Sequence, residues 1–210
     1  MAMKQIAVFG GTFDPVHNGH LKLAENACSQ FRFDGFWFMP APNPPHKTDR
    51  TVTDYRDRME MVRLAIASYP EFSCSDFEAG LSGKSYTSET ILALKEKFPD
   101  TEFSLIMGAD SFFEIEKWHD PETVLKNSSL VVADRDYGKT GISLNTQKTH
   151  LQTVYGTKIS FIRADEVDIS SEHLREMLSN GRRGTEKYLP PAVLSYILSH
   201  HLYSRTERKI

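Results

Sequence analysis

The sequence predicts an α/β fold: one doubly wound domain, built on a mostly parallel sheet with helices on both faces. Short apolar runs of strand length alternate along the chain with longer segments whose apolar residues recur every three or four positions. Strands that are separated by helices of this length need right-handed crossovers, which make the strands parallel. The 210 residues are sufficient for one such domain with a substantial core.

The first half of the chain is predicted to form three strand–helix units. Strands are expected at residues 6–9, 35–40 and 72–75, and helices at 18–31, at 54–69 and from Ser85 or Thr87 to residue 98. The second strand stops at Pro40, because proline lacks the N–H group that a strand interior uses. Ser85 and Thr87 are candidate N-caps, since their hydroxyls can accept a hydrogen bond from the first helical turn.

The second half repeats this alternation. Strands are expected at residues 103–108, 130–133 and 159–162, followed by a helix that Ser170 or Ser171 caps and that ends near Gly181. A last helix has Pro190 or Pro191 in its first turn. Residues 138–158 carry the weakest pattern, and a loop, a small subdomain and a short helix are all compatible with it.

The composition argues against several classes of partner. A net charge of −3 gives no general attraction to nucleic acid or to an anionic membrane. The N-terminus leads directly into a strand without an apolar signal region, and no apolar run approaches membrane-spanning length. Cys28 and Cys74 are too few for a disulfide framework or a zinc site, so both are expected to be reduced. We therefore expect a cytoplasmic protein without nucleic-acid or membrane partners.

The most informative stretch is residues 6–21, which reads as a strand, a Gly-Gly turn and a helix that opens between two histidines. Gly10 and Gly11 let the backbone approach a ligand closely, since no Cβ intervenes. The helix start presents unpaired N–H groups and a positive partial charge, and His17 and His20 can donate hydrogen bonds to phosphate oxygens. The turn is a candidate triphosphate site, although neither G-x-G-x-x-G nor G-x-x-x-x-G-K-[ST] is present.

Each histidine taken alone also fits a structural role. His20 shares a helical face with Ala24 and Ala27, so it is compatible with a packed core histidine. His17 is compatible with an ordinary surface turn. The combination of both histidines with the strand–turn–helix setting is what favours phosphate binding.

Other segments place polar or aromatic side chains at strand ends or helix starts, where ligands bind in parallel sheets. These segments are residues 44–47, 85–87, 108–111, 118–119 and 168–175. Within them, Lys47 is a candidate cation for a polyphosphate, Asp110 a candidate acceptor for a ribose, and Trp118 a flat surface for stacking. Each segment is also compatible with a solvated loop, a capped helix or a core aromatic.

In their order along the chain, these motifs resemble those of bacterial nicotinate-mononucleotide adenylyltransferases, which are nucleotidyltransferases with an H-x-G-H signature. The matching runs are GGTFDPVHNGH, PPHK, SYT, GADS, the Trp118 segment, ISSxxLR and the C-terminal PPAVLSYI and LY. H-x-G-H alone marks the superfamily, whereas SYT, GADS and the tryptophan narrow it to this family. The resemblance implies a Rossmann-like fold, with a C-terminal helical segment, about residues 170–203, that packs on the domain and contributes to the ATP site.

The resemblance also implies roles for individual residues. The implied catalytic residues are His17, His20 and Lys47. The implied ATP-binding residues are these two histidines with Gly10, Gly11, Thr12, Gly108, Asp110, Ser170, Ser171 and Arg175, and those for nicotinate mononucleotide are Phe13, Tyr86, Thr87 and Trp118. The family usually has threonine where this chain has Glu172, which places a negative charge beside the expected triphosphate.

The reaction that the resemblance implies is attack of the mononucleotide's phosphate oxygen on the α-phosphorus of ATP. It gives nicotinate adenine dinucleotide and pyrophosphate, a step of NAD biosynthesis. The nucleophile is already an anion, so alignment and charge stabilisation are the tasks left to the protein. Mg²⁺ is expected as cofactor, held mainly by the ATP phosphates rather than by a cage of carboxylates. A homo-oligomer is left open.

Three alternatives differ from this hypothesis in what they require of the sequence. A phosphopantetheine adenylyltransferase or a cytidylyltransferase shares H-x-G-H but has little use for SYT with Trp118. A dinucleotide-dependent dehydrogenase needs G-x-G-x-x-G, which is missing. A nucleotide sensor without activity is expected to have lost His17, His20 or Arg175, and all three are present. The sequence leaves open how strongly the acid mononucleotide is preferred over the amide.

Overall fold

A parallel sheet forms the centre of the computed structural model, which describes residues 3–45, 52–134, 143–163, 169–181 and 184–204. Its strands are β1 (Lys4–Gly11), β2 (Gly35–Pro40), β3 (Phe72–Cys74), β4 (Thr101–Gly108), β5 (Ser129–Asp134) and β6 (Ile159–Arg163). They lie in the order β3-β2-β1-β4-β5-β6, and each neighbouring pair is parallel. The predicted strands are thus confirmed, and the sheet is parallel throughout its described part.

The strand order places the carboxyl end of β1 at the middle of the sheet. The chain runs outward from β1 through β2 to β3 and then returns to form β4 on the other side of β1. Gly10 and Gly11 lie opposite Met39 and Pro40 of β2, while Val8 lies opposite Leu105 of β4. This reversal leaves a crevice beyond β1 and β4, which is where parallel sheets of this kind bind ligands.

The helices cover both faces of the sheet, as predicted. They are α1 (Asn18–Gln30), α2 (Tyr55–Ile66), α3 (Thr87–Lys97), α4 (Ala109–Glu114), α5 (Pro121–Asn127), α6 (Leu144–Tyr155), α7 (Ser171–Ser179) and α8 (Pro191–Ser199), with 3-10 turns at Phe77–Gly80, Ile115–Lys117 and Thr185–Lys187. Side chains of α1, α2, α7 and α8 share one apolar core, and those of α3 to α6 share the other. Alternate residues of β1 separate accordingly, with Ala7 and Phe9 in the first core and Ile6 and Val8 in the second.

Two expectations about helix starts have different outcomes. The prediction that Ser85 or Thr87 caps the third helix is wrong: Tyr86 is the N-cap residue of α3 and its side chain makes no capping bond. The Ser85 hydroxyl instead accepts a hydrogen bond from the backbone N–H of Asn43 at 3.1 Å. Ser170 does cap α7, because its hydroxyl accepts from the N–H of His173 at 3.1 Å.

The weakly patterned segment 138–158 contains α6. Of the loop, the small subdomain and the short helix considered for this segment, the helix is confirmed for residues 144–155. Residues 138–142 lie outside the described residues. Over the ranges that the structure does describe, we find no helix of the length and apolar character needed to span a bilayer.

The C-terminal segment packs against the turn that follows β1. Asn18 donates its backbone N–H to the carbonyl of Tyr188 at 2.8 Å. The Tyr203 hydroxyl donates to Oδ1 of the buried Asp14 at 2.7 Å. Residues distant in sequence therefore hold the start of α1 and the turn before it.

Candidate nucleotide-binding site

A cavity of about 310 Å³ opens beyond the carboxyl ends of β1, β2 and β4. Its volume is at the lower end of the range that small-molecule sites occupy. Seven of the predicted site residues line it, namely Gly10, Gly11, Thr12, Tyr86, Thr87, Gly108 and Trp118. Segments that are far apart in the sequence thus meet at one end of the sheet, as predicted for side chains at strand ends and helix starts.

Glycines leave bare backbone on the wall of this cavity. A Cβ built at Gly10 or at Gly108 would meet no atom within 4 Å, so both positions border open space. At Gly11, by contrast, a Cβ would come to 3.0 Å from the ring of Phe13. Gly10 and Gly108 therefore allow a ligand to lie close to the main chain, whereas Gly11 makes room for a neighbouring side chain.

Phe13 lies behind this wall rather than on it. It is only 2% exposed, has the left-handed φ of 49°, and packs edge-on against Phe9 and His20 with ring centroids 5.4 and 5.0 Å apart. The left-handed conformation is unfavourable for a bulky residue, and burial of the ring in the space left by Gly11 offsets that cost. The described side chain supports His20, and contact with a substrate stays a prediction.

His17 and His20 form a stacked pair at the start of α1, and neither is among the residues that line the cavity. Their ring centroids are 3.7 Å apart, and the planes are inclined by 27°. The backbone N–H of His17 donates to Nδ1 of His20 at 3.2 Å. Because Nδ1 must accept in that bond, a neutral His20 carries its proton on Nε2, which suits it to donate to a phosphate oxygen.

Gly19 makes the close pairing of the two histidines possible. A Cβ at this position would lie 3.0 Å from Nδ1 and 3.1 Å from Cε1 of His17. His17 is 5% exposed, so its ring has little freedom to retreat from such a contact. The glycine inside H-x-G-H is thus explained by the space that the first histidine occupies.

The predicted triphosphate residues of the C-terminal segment contact the turn before α1 rather than lining the cavity. Arg175 donates from Nη1 to the carbonyl of Asp14 at 2.7 Å, and the Ser171 hydroxyl donates to the carbonyl of Pro15 at 2.9 Å. Ser170 uses its hydroxyl as the cap of α7. These contacts place α7 next to the histidine pair, while direct contact with ATP stays a prediction.

The two remaining predicted residues are Asp110 and Lys47. Asp110 is exposed in the first turn of α4, where Ser111 is the residue that lines the cavity. Lys47, the third predicted catalytic residue, lies outside the described residues. Their roles stay predictions.

Arg58, which was not predicted, fixes the two loops that follow β1 and β2. Its guanidinium is 1% exposed and donates to the carbonyls of Thr12 at 2.7 Å, Ala41 at 2.9 Å and Thr53 at 2.9 Å. Burial lowers the pKa of Arg58 from its usual value, and the nearby carboxylate of Asp14 opposes that shift. Arg58 thus ties α2 to the ends of β1 and β2.

The opposite end of the cavity is aromatic. Tyr86 stacks on His119 with ring centroids 4.2 Å apart, and Trp118 lines the wall next to them. Thr87 begins α3, whose first-turn N–H groups receive no side-chain cap from Tyr86. A helix start of this kind favours an anion, and flat rings beside it favour a planar aromatic group. His119 was not among the predicted site residues, although it lies in the segment 118–119 that the sequence singles out.

A metal cage of protein ligands is not visible in this part of the molecule. Among residues 3–45, 52–134, 143–163, 169–181 and 184–204, no three His, Cys, Asp or Glu side chains are grouped so that they could hold an ion.

Comparison with known proteins gives a consistent result. Residues 8–177 match the family model described as cytidylyltransferase-like. The chain is 39% identical over 201 residues to a "Probable nicotinate-nucleotide adenylyltransferase" of Lachnoclostridium phytofermentans, covering 96% of this chain and all of that one. A protein of the same name from Synechococcus sp. is 38% identical over 202 residues, 95% of each chain.

A solved structure shares the fold. It is that of the Plasmodium falciparum nicotinic acid mononucleotide adenylyltransferase complexed with NaAD, with a TM-score of 0.78 and 21% sequence identity. The match covers 95% of this chain and 97% of that one.

Proposed function

The chain belongs to the cytidylyltransferase-like family and, within it, to the nicotinate-nucleotide adenylyltransferases, and from that premise we propose that it transfers AMP from ATP to nicotinate mononucleotide. The products are nicotinate adenine dinucleotide and pyrophosphate, as in NAD biosynthesis. The observation that carries the proposal is the cavity, which has bare glycine backbone at one end and an aromatic helix start at the other. The stacked histidine pair lies at the start of α1, outside the residues that line this cavity.

ATP is proposed to lie with its phosphates over the 10–12 backbone and the start of α1. His17 and His20 would donate hydrogen bonds to phosphate oxygens, and Arg175 would reach them from α7. The Nε2 proton of His20 would stabilise negative charge that grows on the α-phosphoryl group and on the departing pyrophosphate. Such donors act without reorganisation, because the stacking of the rings already fixes their orientation.

Nicotinate mononucleotide is proposed to occupy the aromatic end of the cavity. Trp118 would stack on the pyridine ring, and the N–H groups at the start of α3, beside Tyr86 and Thr87, would bind its carboxylate. The phosphate of this substrate is then directed toward the α-phosphorus of ATP, where its oxygen attacks as pyrophosphate leaves. No proton has to be removed from the attacking oxygen, so this chain needs no general base.

Mg²⁺ is the proposed cofactor, and it would neutralise charge on the triphosphate. We propose that the ATP phosphates supply most of its ligands, in line with the way Mg²⁺ binds nucleotides in proteins. The cytoplasmic location, the lack of nucleic-acid and membrane partners and the homo-oligomer considered above stay predictions.

Release of pyrophosphate tests the proposal directly. The purified protein with Mg²⁺ and ATP is given nicotinate mononucleotide or nicotinamide mononucleotide, and the initial rates are compared. Fast release with the acid supports the proposed reaction, and slower release with the amide supports a carboxylate site at α3. Absence of release with either acceptor would overturn the assignment of the acceptor.

A histidine variant tests the mechanism. We expect His20→Ala to lower kcat by about 100-fold, the size of effect seen when one transition-state donor is removed. The matched control is His173→Ala, which removes an exposed histidine of α7 and should leave kcat unchanged. An unchanged kcat in His20→Ala would remove that residue from the mechanism.

A further inference from the structure

Glu78 places a buried carboxyl group on the cavity wall, and the proposed reaction gives this group no role. It lies in the 3-10 turn Phe77–Gly80 after β3, is 9% exposed and lines the cavity. The hydroxyl of Thr90 donates to its Oε1 at 2.8 Å, and the hydroxyl of Ser85 is a second hydrogen-bond partner. Burial raises the pKa of Glu78, and the two hydroxyls partly oppose that shift. Burial of a carboxyl group costs free energy of folding unless hydrogen bonds compensate for the lost hydration.

One of these hydroxyls connects Glu78 to two loops that border the cavity. Ser85 donates its backbone N–H to the carbonyl of Asn43 at 3.1 Å, and the N–H of Asn43 donates to the Ser85 hydroxyl oxygen at 3.1 Å. The side-chain amide of Asn43 also donates to the carbonyl of Gly83 at 3.0 Å. Three hydrogen bonds therefore join the loop after β2 to the turn before α3, and Ser85 connects both to Glu78.

The other hydroxyl connects Glu78 to the start of α3. Thr90 Oγ1 lies 3.1 Å from the carbonyl of Tyr86, which also accepts the first backbone bond of the helix from the N–H of Thr90. Glu78 is thus one side chain away from the N-cap residue whose ring stacks on His119. A change in its hydrogen bonding is transmitted to the aromatic end of the cavity before it reaches the histidine pair.

We propose that Glu78 is a positioning residue for the acceptor end of the cavity. Its carboxyl group fixes residues 83–87 through Ser85 and Thr90, and so sets the place of Tyr86 and of the first-turn N–H groups of α3. The phosphate side is held separately by Arg58 and by β1. Loss of Glu78 should therefore impair binding of nicotinate mononucleotide and leave binding of ATP largely unchanged.

This inference rests on the proposed function, and kinetics of a graded series tests it. Glu78→Gln keeps one acceptor oxygen, whereas Glu78→Met keeps none. We expect the KM for nicotinate mononucleotide to rise about threefold in the first variant and about tenfold in the second, since one hydrogen bond to a charged group corresponds to about a factor of ten. The KM for ATP should stay within about twofold in both.

Ser85→Ala removes the hydroxyl that bonds to both Glu78 and Asn43, and it should reproduce the KM pattern of Glu78→Gln. The matched control is Glu96→Gln, which changes an exposed glutamate near the end of α3 and should change neither KM. Equal rises in both KM values, or a fall in kcat alone, would show a general loss of structure and would overturn the proposal. Without turnover in the wild-type protein, the proposed function itself fails.

Amide hydrogen exchange gives a readout that does not depend on the reaction. In the protein without substrates, we expect faster exchange at residues 83–90 in Glu78→Gln than in the wild type, with exchange at residues 17–21 unchanged. Exchange at 83–90 that matches the wild type would overturn the positioning role, whatever the kinetics show.

Discussion

Replacement of Arg58 with methionine tests how far one buried cation organises the phosphate side of the cavity. Methionine fills a similar volume but cannot donate, so three backbone carbonyls lose bonds of 2.9 Å or shorter. At about 1.5 kcal/mol for each bond to a charged donor, the gross loss is about 4.5 kcal/mol. Methionine carries no charge, so the variant avoids the desolvation cost of the buried guanidinium, the same cost that lowers the pKa of Arg58. This gain offsets part of the gross loss, and we expect a net loss in the free energy of unfolding of about 3 kcal/mol.

Urea unfolding measures this loss, and thermal unfolding should show a fall in Tm of about 6–12 °C for a chain of this size. The control is Arg56→Met, which removes an exposed arginine two residues earlier in the same helix and should cost less than about 0.5 kcal/mol. Equal losses in the two variants would refute the reasoning, because the carbonyl contacts of Arg58 would then contribute nothing measurable.

Three smaller predictions concern Gly19, Tyr203 and Glu78. Gly19→Ala should lower kcat about tenfold, because the new Cβ displaces the His17 ring, while the free energy of unfolding changes by less than about 1 kcal/mol; Gly80→Ala, with open space at its Cβ, is the control. Tyr203→Phe should lower the free energy of urea unfolding by about 1–3 kcal/mol, since the buried side chain of Asp14 loses this hydrogen bond, and an unchanged value would count against that bond. Because burial raises the folded-state pKa of Glu78, the stability that its protonated form contributes is complete at low pH and is lost as the pH rises through that pKa. Unfolding free energies at pH 5 and pH 8 should therefore differ less in Glu78→Gln than in the wild type, and an equal or larger difference would contradict the sign.

The fold could be predicted because its strands and most helices carry strong apolar periodicity. No helix bounds were predicted for the short α4 and α5, between β4 and β5. In α6 the buried residues are Gln147 and Leu151, so its apolar stripe is too short to distinguish a helix from a loop. The cap of α3 was predicted wrongly for a different reason. Ser85 has a side chain suited to capping, but its hydroxyl oxygen accepts the N–H of Asn43, in the loop after β2.

Some residues of the candidate site could be predicted from the sequence, and others could not. Gly10 and Gly108, at the carboxyl ends of β1 and β4, could be placed because topology alone brings strand ends together. Tyr86 could be placed because it immediately precedes a predicted helix start. Arg58 and Glu78 could not, because each resembles an exposed charged residue in sequence. Their burial depends on carbonyls and hydroxyls from loops that are adjacent only in the folded chain.

The contact between Tyr203 and Asp14 also orders events during synthesis of the chain. The two residues are 189 positions apart, and burial raises the pKa of Tyr203, so its hydroxyl remains a protonated donor once the contact has formed. On the ribosome, strands β1 to β6 emerge before this tyrosine does. The turn between β1 and α1 is thus expected to acquire its final hydrogen bonds last, after the sheet has assembled. A nascent chain stalled before residue 203 should protect the amides of β1 from exchange while leaving those of residues 12–17 open.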